Sequence, residues 1–243
     1  MTLRPPGVAR CAAPLVISVL SLVLTGCGDS DVSDAASTDP ALVPTPVAVE
    51  LPEQVIDVGA VVDGRAAQAT GNGPAVIAFD AVDEFALVAA LDCGGCHGPV
   101  EVSSPGQGTA WGSGEGPVSA QYLVQIAGPE PMRQLVVDAE GDWRIDLSSV
   151  DDLPAVTGVQ QGTGSTVLRI DQPGTTLRVA YTPADAQDEL TARMMSWAQT
   201  GSDGEPLSMS FGADSAFDQS YPLVTPGVIA LDTAGSWTVQ PLP

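Results

Sequence analysis

The chain has 243 residues, thirty acids against eight bases, and a formal charge of −22 at pH 7. All eight bases are arginine and they are scattered, so no concentrated positive field exists for nucleic acid, and an anionic bilayer would repel the body of the protein. Four cysteines and a single histidine confine redox, metal and histidine-based chemistry to a few positions.

The chain begins "MTLRPPGVARCAAPLVISVLSLVLTGCGDS", with Arg4 and Arg10, no acid before Asp29, and an apolar run from Ala12 to Leu24. That is the layout of an export signal, and the run is shorter than the ~20 residues a spanning helix needs. It closes on Leu24-Thr25-Gly26-Cys27, which resembles the lipobox of bacterial lipoproteins. The resemblance implies removal of residues 1–26 and acylation of Cys27 as the new first residue, with palmitate-type chains on its thiol and amino group. Two or more such chains anchor stably, whereas one holds only marginally. The implied location is the extracytoplasmic face of a cell membrane, and the implied partners are that membrane and an envelope protein or ligand. Cys11 leaves with the signal, so Cys93 and Cys96 are the only thiols left for other work, in an oxidising compartment.

Residues 27–54 are rich in Asp, Ser, Ala and Pro and lack a sustained apolar period. Such a stretch cannot offset its ordering entropy and is expected to be a disordered acidic tether. Asp29, Asp31 and Asp34 lack the glycine turn and closing glutamate of an EF-hand loop, so they read as a solvated leash.

An internal repeat follows. "GNGPAVIAFD" at 71–80 aligns with "GTGSTVLRID" at 162–171, and "LVVDAEGDWRI" at 135–145 aligns with "IALDTAGSWTV" at 229–239. The matched positions include Gly71/Gly162, Gly73/Gly164, Gly141/Gly235 and Trp143/Trp237. Two tandem modules are therefore expected, 55–150 and 151–243.

Both modules read as β. Alternation at period two sets Val76, Ala78 and Asp80 against Ile77 and Phe79, and Leu177, Val179 and Tyr181 repeat the pattern. "DELTARMMSWAQ" at 188–199 is long enough for a helix, but its counterpart contains "GPVEVSSPGQG", which cannot be one, so a strand is expected. The run "GQGTAWGSGEG" lacks the lysine of a phosphate loop and reads as an exposed loop. The fold class is all-β: two antiparallel β-sandwich modules after the tether. Each closes on Gly-x-Trp and an alternating strand, "AEGDWRIDL" and "TAGSWTVQPL", whose Trp is expected to plug the space between two sheets. These strands resemble those of the pre-peptidase C-terminal type of β-sandwich, and the resemblance implies an accessory, non-catalytic module.

"LDCGGCHGPV" at 91–100 admits two main readings. Gly94-Gly95 between alternating strands can form a two-residue hairpin whose flanking Cys93 and Cys96 close a disulfide, since a β-turn keeps its ends within ~7 Å. C-x-x-C-H is also the attachment signature of c-type haem, with His97 as axial ligand and Met132, Met194, Met195 or Met209 as the second. A strand pattern, not a helix, follows Pro99, which favours the hairpin. Zinc on Cys93, Cys96, His97 and Asp92 is sterically crowded, and a thiol-exchange centre would want its first cysteine at a helix N-terminus. The repeat aligns Cys93 with Pro183 and Cys96 with Ala186, so the second module lacks the pair.

Asp138, Glu140 and Asp142 alternate in "DAEGDW" and form a calcium candidate, but the second module keeps only Asp232 among the matching positions. No G-x-S-x-G elbow accompanies the lone histidine, and Asp151-Asp152 is unremarkable among thirty acids. No catalytic residue is assigned. A non-enzymatic envelope or binding lipoprotein without cofactor is expected, with a lipid-tethered cytochrome carrying one haem at Cys93, Cys96 and His97 as the alternative.

Overall fold

Period-two alternation becomes strand almost everywhere it occurs. The computed structural model describes residues 51–81, 86–105, 110–125, 132–172, 176–200 and 206–242, the side chains of 197–200 and 206 excepted. These belong to one compact unit, Val47–Pro243. Its first half holds β1 (Val55–Val61), β2 (Ala67–Asn72), β3 (Ala75–Ala81), β4 (Ala86–Ser103), β5 (Ala110–Gln125), β6 (Gln134–Glu140) and β7 (Asp142–Ser149). A 3-10 turn, Val150–Asp152, leads to the second half. That half holds β8 (Gln160–Thr163), β9 (Thr166–Ile170), β10 (Thr176–Thr182), β11 (Leu190–Thr200), β12 (Pro206–Ala213), β13 (Phe217–Pro222), β14 (Gly227–Asp232) and β15 (Ser236–Leu242).

The second half makes two four-stranded sheets, β13-β10-β15-β8 and β12-β11-β14-β9. The first half is one seven-stranded sheet because β4 and β5 are long enough to serve both layers. The early part of β4 pairs with β7 and its late part with β6, while β5 follows it throughout. Divided at that bend, the layers read β5-β4-β7-β2 and β5-β4-β6-β3-β1, the order of the second half with β1 added. Registers agree too: Gly71 faces Trp143 as Gly162 faces Trp237, and Val76 faces Val136 as Val167 faces Ala230. Even the parallel pairing of β1 with β3 has a remnant in the parallel bridge Ala155–Arg169. Pairing is otherwise antiparallel among the described strands.

Alternation explains what faces inward. In β3 Ala75, Ile77 and Phe79 are buried while Asp80 is exposed, and in β10 Leu177, Val179 and Tyr181 are buried around an exposed Arg178. The segment that was open to a helix is strand β11. Each half has its own apolar core, and a third cluster joins them, with Ala86, Val88 and Leu123 packed with Val167, Met195 and Val228.

The repeated tryptophan fills the place expected of it. Trp143 and Trp237 are 3% and 7% exposed, and their indole N–H groups donate to the carbonyls of Gly73 (2.7 Å) and Gly164 (2.8 Å). A Cβ on Gly71 or Gly162 would overlap the facing indole, which is why glycine recurs there. Burying each ring contributes on the order of 2–3 kcal/mol. The glycine-rich run expected as a loop is instead, over 110–116, part of β5. Glycine serves close approach in that strand: the Tyr122 ring occupies the space of a Gly112 side chain, and a Cβ on Gly116 would stand 2.7 Å from the Cys96 carbonyl carbon.

Candidate functional site

Cys93 and Cys96 lie inside β4 rather than at the end of a hairpin. On both sides of the pair β4 keeps the same partner: Ala86 to Cys93 face Gln125 to Val118, and Gly98 to Ser103 face Gly116 to Ala110. The chain does not double back. β4 takes five steps from Cys93 to Gly98 while β5 takes two from Val118 to Gly116, so the extra residues are pushed out as a bulge. Within it the Cys93 and Cys96 Cα atoms are 5.2 Å apart and the sulfurs lie at bonding distance. The turn-like span expected of C-G-G-C is present, but strand reversal is not. The left-handed backbone also falls elsewhere, at Gly98 (φ 74°). Both cysteines are buried, at 0% and 5% exposure.

The bulge rests on the turn between β6 and β7. Cys96 Sγ is 3.5 Å from the Asp142 carbonyl oxygen, and the Asp92 carboxylate accepts the Gly94 N–H at 3.2 Å. Gly141, at φ 116°, lets the two backbones meet: a Cβ there would stand 2.5 Å from the Gly95 carbonyl oxygen.

His97 turns away from the sulfurs. Its side chain is 75% exposed and its Nε2 is 3.7 Å from Glu140. Met132 accepts the Ser104 hydroxyl at 3.2 Å, Met194 and Met195 are buried in the other half, and Met209 is on the surface. A ring joined to both sulfurs and ligated by His97 needs the three side chains on one wall of an apolar pocket, and these residues do not fit that geometry. The calcium candidates are likewise dispersed: Asp142 accepts from Asn72 at 2.7 Å, Glu140 faces His97, and Asp138 lies on the exposed face of β6. Among the described residues no three His, Cys, Asp or Glu side chains are arranged to hold a metal ion. Cys27 lies outside the described residues.

Strand registers revise the counterpart of the cysteines. Asp92 faces Arg144 and Ala180 faces Thr238, so Cys93 corresponds to Tyr181, two residues earlier than the sequence alignment has it. Sequence matching does not reveal that the crossover differs in length between the halves. There Asp188 holds the crossover instead. Its carboxylate accepts the N–H groups of Ala184 (2.8 Å) and Ala234 (3.0 Å) and the Thr233 hydroxyl (3.0 Å). Burial is the largest influence and pulls this carboxyl upward, but the donors together hold it below the ordinary value. The Tyr181 hydroxyl is buried beside Asp188 and Thr233 without a well-aligned hydrogen bond to either.

The seam between the halves carries two features that the sequence reading missed. One is a cleft of about 510 Å³ walled by Glu101, Glu115, Asp185, Asp188, Glu189 and Asp232, with no basic lining residue. The other is a cavity of about 310 Å³ between β5 and the outer face of the β12-β11-β14 layer. Arg193 reaches into it from β11, stacked 5.0 Å over the Trp111 ring and donating to the Leu123 carbonyl. Trp111 is held in turn by the Ser104 hydroxyl at 2.7 Å. Asp232 accepts from Ser165 Oγ at 2.5 Å and from the Ser113 N–H, and burial, opposed by these donors, raises its carboxyl above the ordinary value. One signal was legible: Arg193 is the only charged residue in the run "LTARMMSW" of an expected strand.

No model of a known protein family matches the chain, and no curated protein matches it.

Proposed function

We propose that the protein is an exported lipoprotein, held by acyl chains on Cys27 at the extracytoplasmic face of a cell membrane, and that it acts as a non-enzymatic binding protein built from two copies of one β-sandwich module. The observation that carries the anchor is the run Leu24-Thr25-Gly26-Cys27 directly after a short apolar segment preceded by Arg4 and Arg10. The shared strand order and registers of the two halves support the duplication, and the acidic surface leaves attachment to the lipid rather than to lipid headgroups. Cys93 and Cys96 form a structural disulfide that pins a bulge. Their burial and mutual approach support this over thiol exchange, which needs an accessible thiol.

Intact mass of the protein exported by its native host tests both parts. The expected mass starts at Cys27, includes the acyl chains and lacks two hydrogens for the disulfide, and Cys27→Ala moves the protein from the membrane to the soluble fraction. A mature chain starting elsewhere, or a membrane-bound Cys27→Ala variant, overturns the anchor. A covalent haem mass with visible absorption overturns the disulfide.

A further inference from the structure

Arg193 is an unusual residue to find at a seam. A guanidinium has five N–H donors and never loses its charge in a protein. Among the described residues Arg193 has one hydrogen bond, to the Leu123 carbonyl, and no carboxylate pairs with it, although the chain carries thirty acids. The other described arginines with ion pairs, at 133, 144, 169 and 178, are each paired with an Asp. Arg193 instead spends one face on Trp111 and presents the remaining donors to a cavity.

The cavity has the size and composition of a small-molecule site. Its volume of about 310 Å³ is at the small end of ligand pockets. Trp111 and the stem of Arg193 supply apolar wall, and Tyr122, 1% exposed, lies behind it with a buried hydroxyl that has no hydrogen-bond partner. Burial first, and the charge of Asp232 second, push this phenol well above its ordinary value, so it remains an O–H donor. Arg193 therefore brings unused donors to the cavity, and a group that only accepts is missing.

Asp232 lines the same cavity but does not supply that group. Arg193 faces Ala230 and Thr191 faces Asp232, which sets the two charges on one face at a diagonal of roughly 7–8 Å. Asp232 is already engaged by Ser165 and Ser113. Its negative charge, with that of the whole chain, disfavours polyanions such as phosphates. A single carboxylate on a small apolar body is the chemistry that remains.

We infer that the seam cavity is a binding site for a small monocarboxylate, whose carboxylate pairs with Arg193 and whose apolar body lies against Trp111. The inference gives the proposed binding role a site, and it rests on seam geometry whether or not Cys27 carries lipid. Bidentate pairing with a guanidinium is directional and stronger than a neutral hydrogen bond. A ligand held between β5 and β11 also bridges the halves, so its binding stabilises their packing.

Benzoate, with the uncharged isostere benzamide as control, probes the site on the purified full chain. Benzoate is expected to quench tryptophan fluorescence saturably and to raise the unfolding temperature, while benzamide does neither. Arg193→Met is expected to weaken benzoate roughly tenfold or more, and Asp232→Asn to strengthen it by removing a nearby negative charge. If Arg193→Met fails to fold, Asp232→Asn still decides. Equal effects of benzoate and benzamide, no saturable response to benzoate, or an affinity indifferent to both substitutions would overturn the proposal and leave Arg193 as a packing cation only. None of these outcomes bears on the mass of the exported chain, so failure here and failure of the lipid anchor are read separately.

Discussion

The two halves solve one problem with different chemistry. In each, the chain must pass from one layer to the other between the strand that pairs with the tryptophan strand and the strand that pairs with β6 or β14. The first half keeps a single bent strand, β4, and cinches the excess residues between Cys93 and Cys96. The second half breaks the strand into β10 and β11 and gathers the loop around the Asp188 carboxylate, which also reaches the turn at Thr233 and Ala234. A covalent link is indifferent to pH but sensitive to reductant; a carboxylate held by hydrogen bonds is the reverse. One fold thus tolerates either closure because the tryptophan and glycine that fix the sheets are common to both halves, and the crossover is secondary to them.

The largest expected effect tests the common part. Trp143→Ala and Trp237→Ala each remove a buried ring and orphan a glycine carbonyl, and each is expected to cost about 3–5 kcal/mol in urea unfolding. A marked asymmetry between them would mean that the halves do not share a keystone. Gly71→Ala and Gly162→Ala, which force a Cβ into the indole, are expected to cost about 1–3 kcal/mol each by overpacking.

Smaller effects sharpen the difference. Reduction, or the double change Cys93→Ala with Cys96→Ala, is expected to cost less than the ~3 kcal/mol estimated for a 15-residue loop, because this loop is far shorter. Backbone hydrogen exchange is expected to rise at residues 92–98 and 140–142 and to remain unchanged at 182–190; spread into the second half would contradict independent closures. The smallest change, Asp188→Asn, is expected to cost about 1 kcal/mol at neutral pH. The folded-state pKa of Asp188 is depressed, so its contribution is complete above the unfolded value of about 3.9 and is lost as pH falls through the lower folded value. Acid unfolding should therefore begin at a higher pH in wild type, relative to its own neutral stability, than in the Asn variant. Parallel pH profiles for the two would remove Asp188 from this role.

Much of the fold was legible because it rests on periodic and short-range signals. Alternation in "GPAVIAFD" and "TTLRVAYT" gives strands whose inward sets are set by period two, and the matched Gly71/Gly162 and Trp143/Trp237 show the repeat because one ring demands one missing side chain. The cysteine pair was legible as a close pair, since three residue steps through two glycines readily bring the ends to 5.2 Å. Its setting was not. Whether a tight turn ends a strand or is pinched out of one depends on which partner lies beyond it, and β5, about twenty residues away, makes that choice. The same holds for "TAWGSGEG": glycines that loosen an isolated chain are required in β5 because Tyr122 and Cys96 press against it.

What the sequence determined by itself is therefore local: it dictated strands and their inward faces, set by neighbours a few positions away, and it matched glycine with glycine and tryptophan with tryptophan one repeat apart. The tertiary structure alone decided that β4 runs through its cysteines, that Asp188 replaces them in the second half, and that Arg193 faces Trp111 across the seam. Those outcomes depend on groups from about twenty to about eighty residues apart along the chain, where no periodicity carries the information and only packing brings them together.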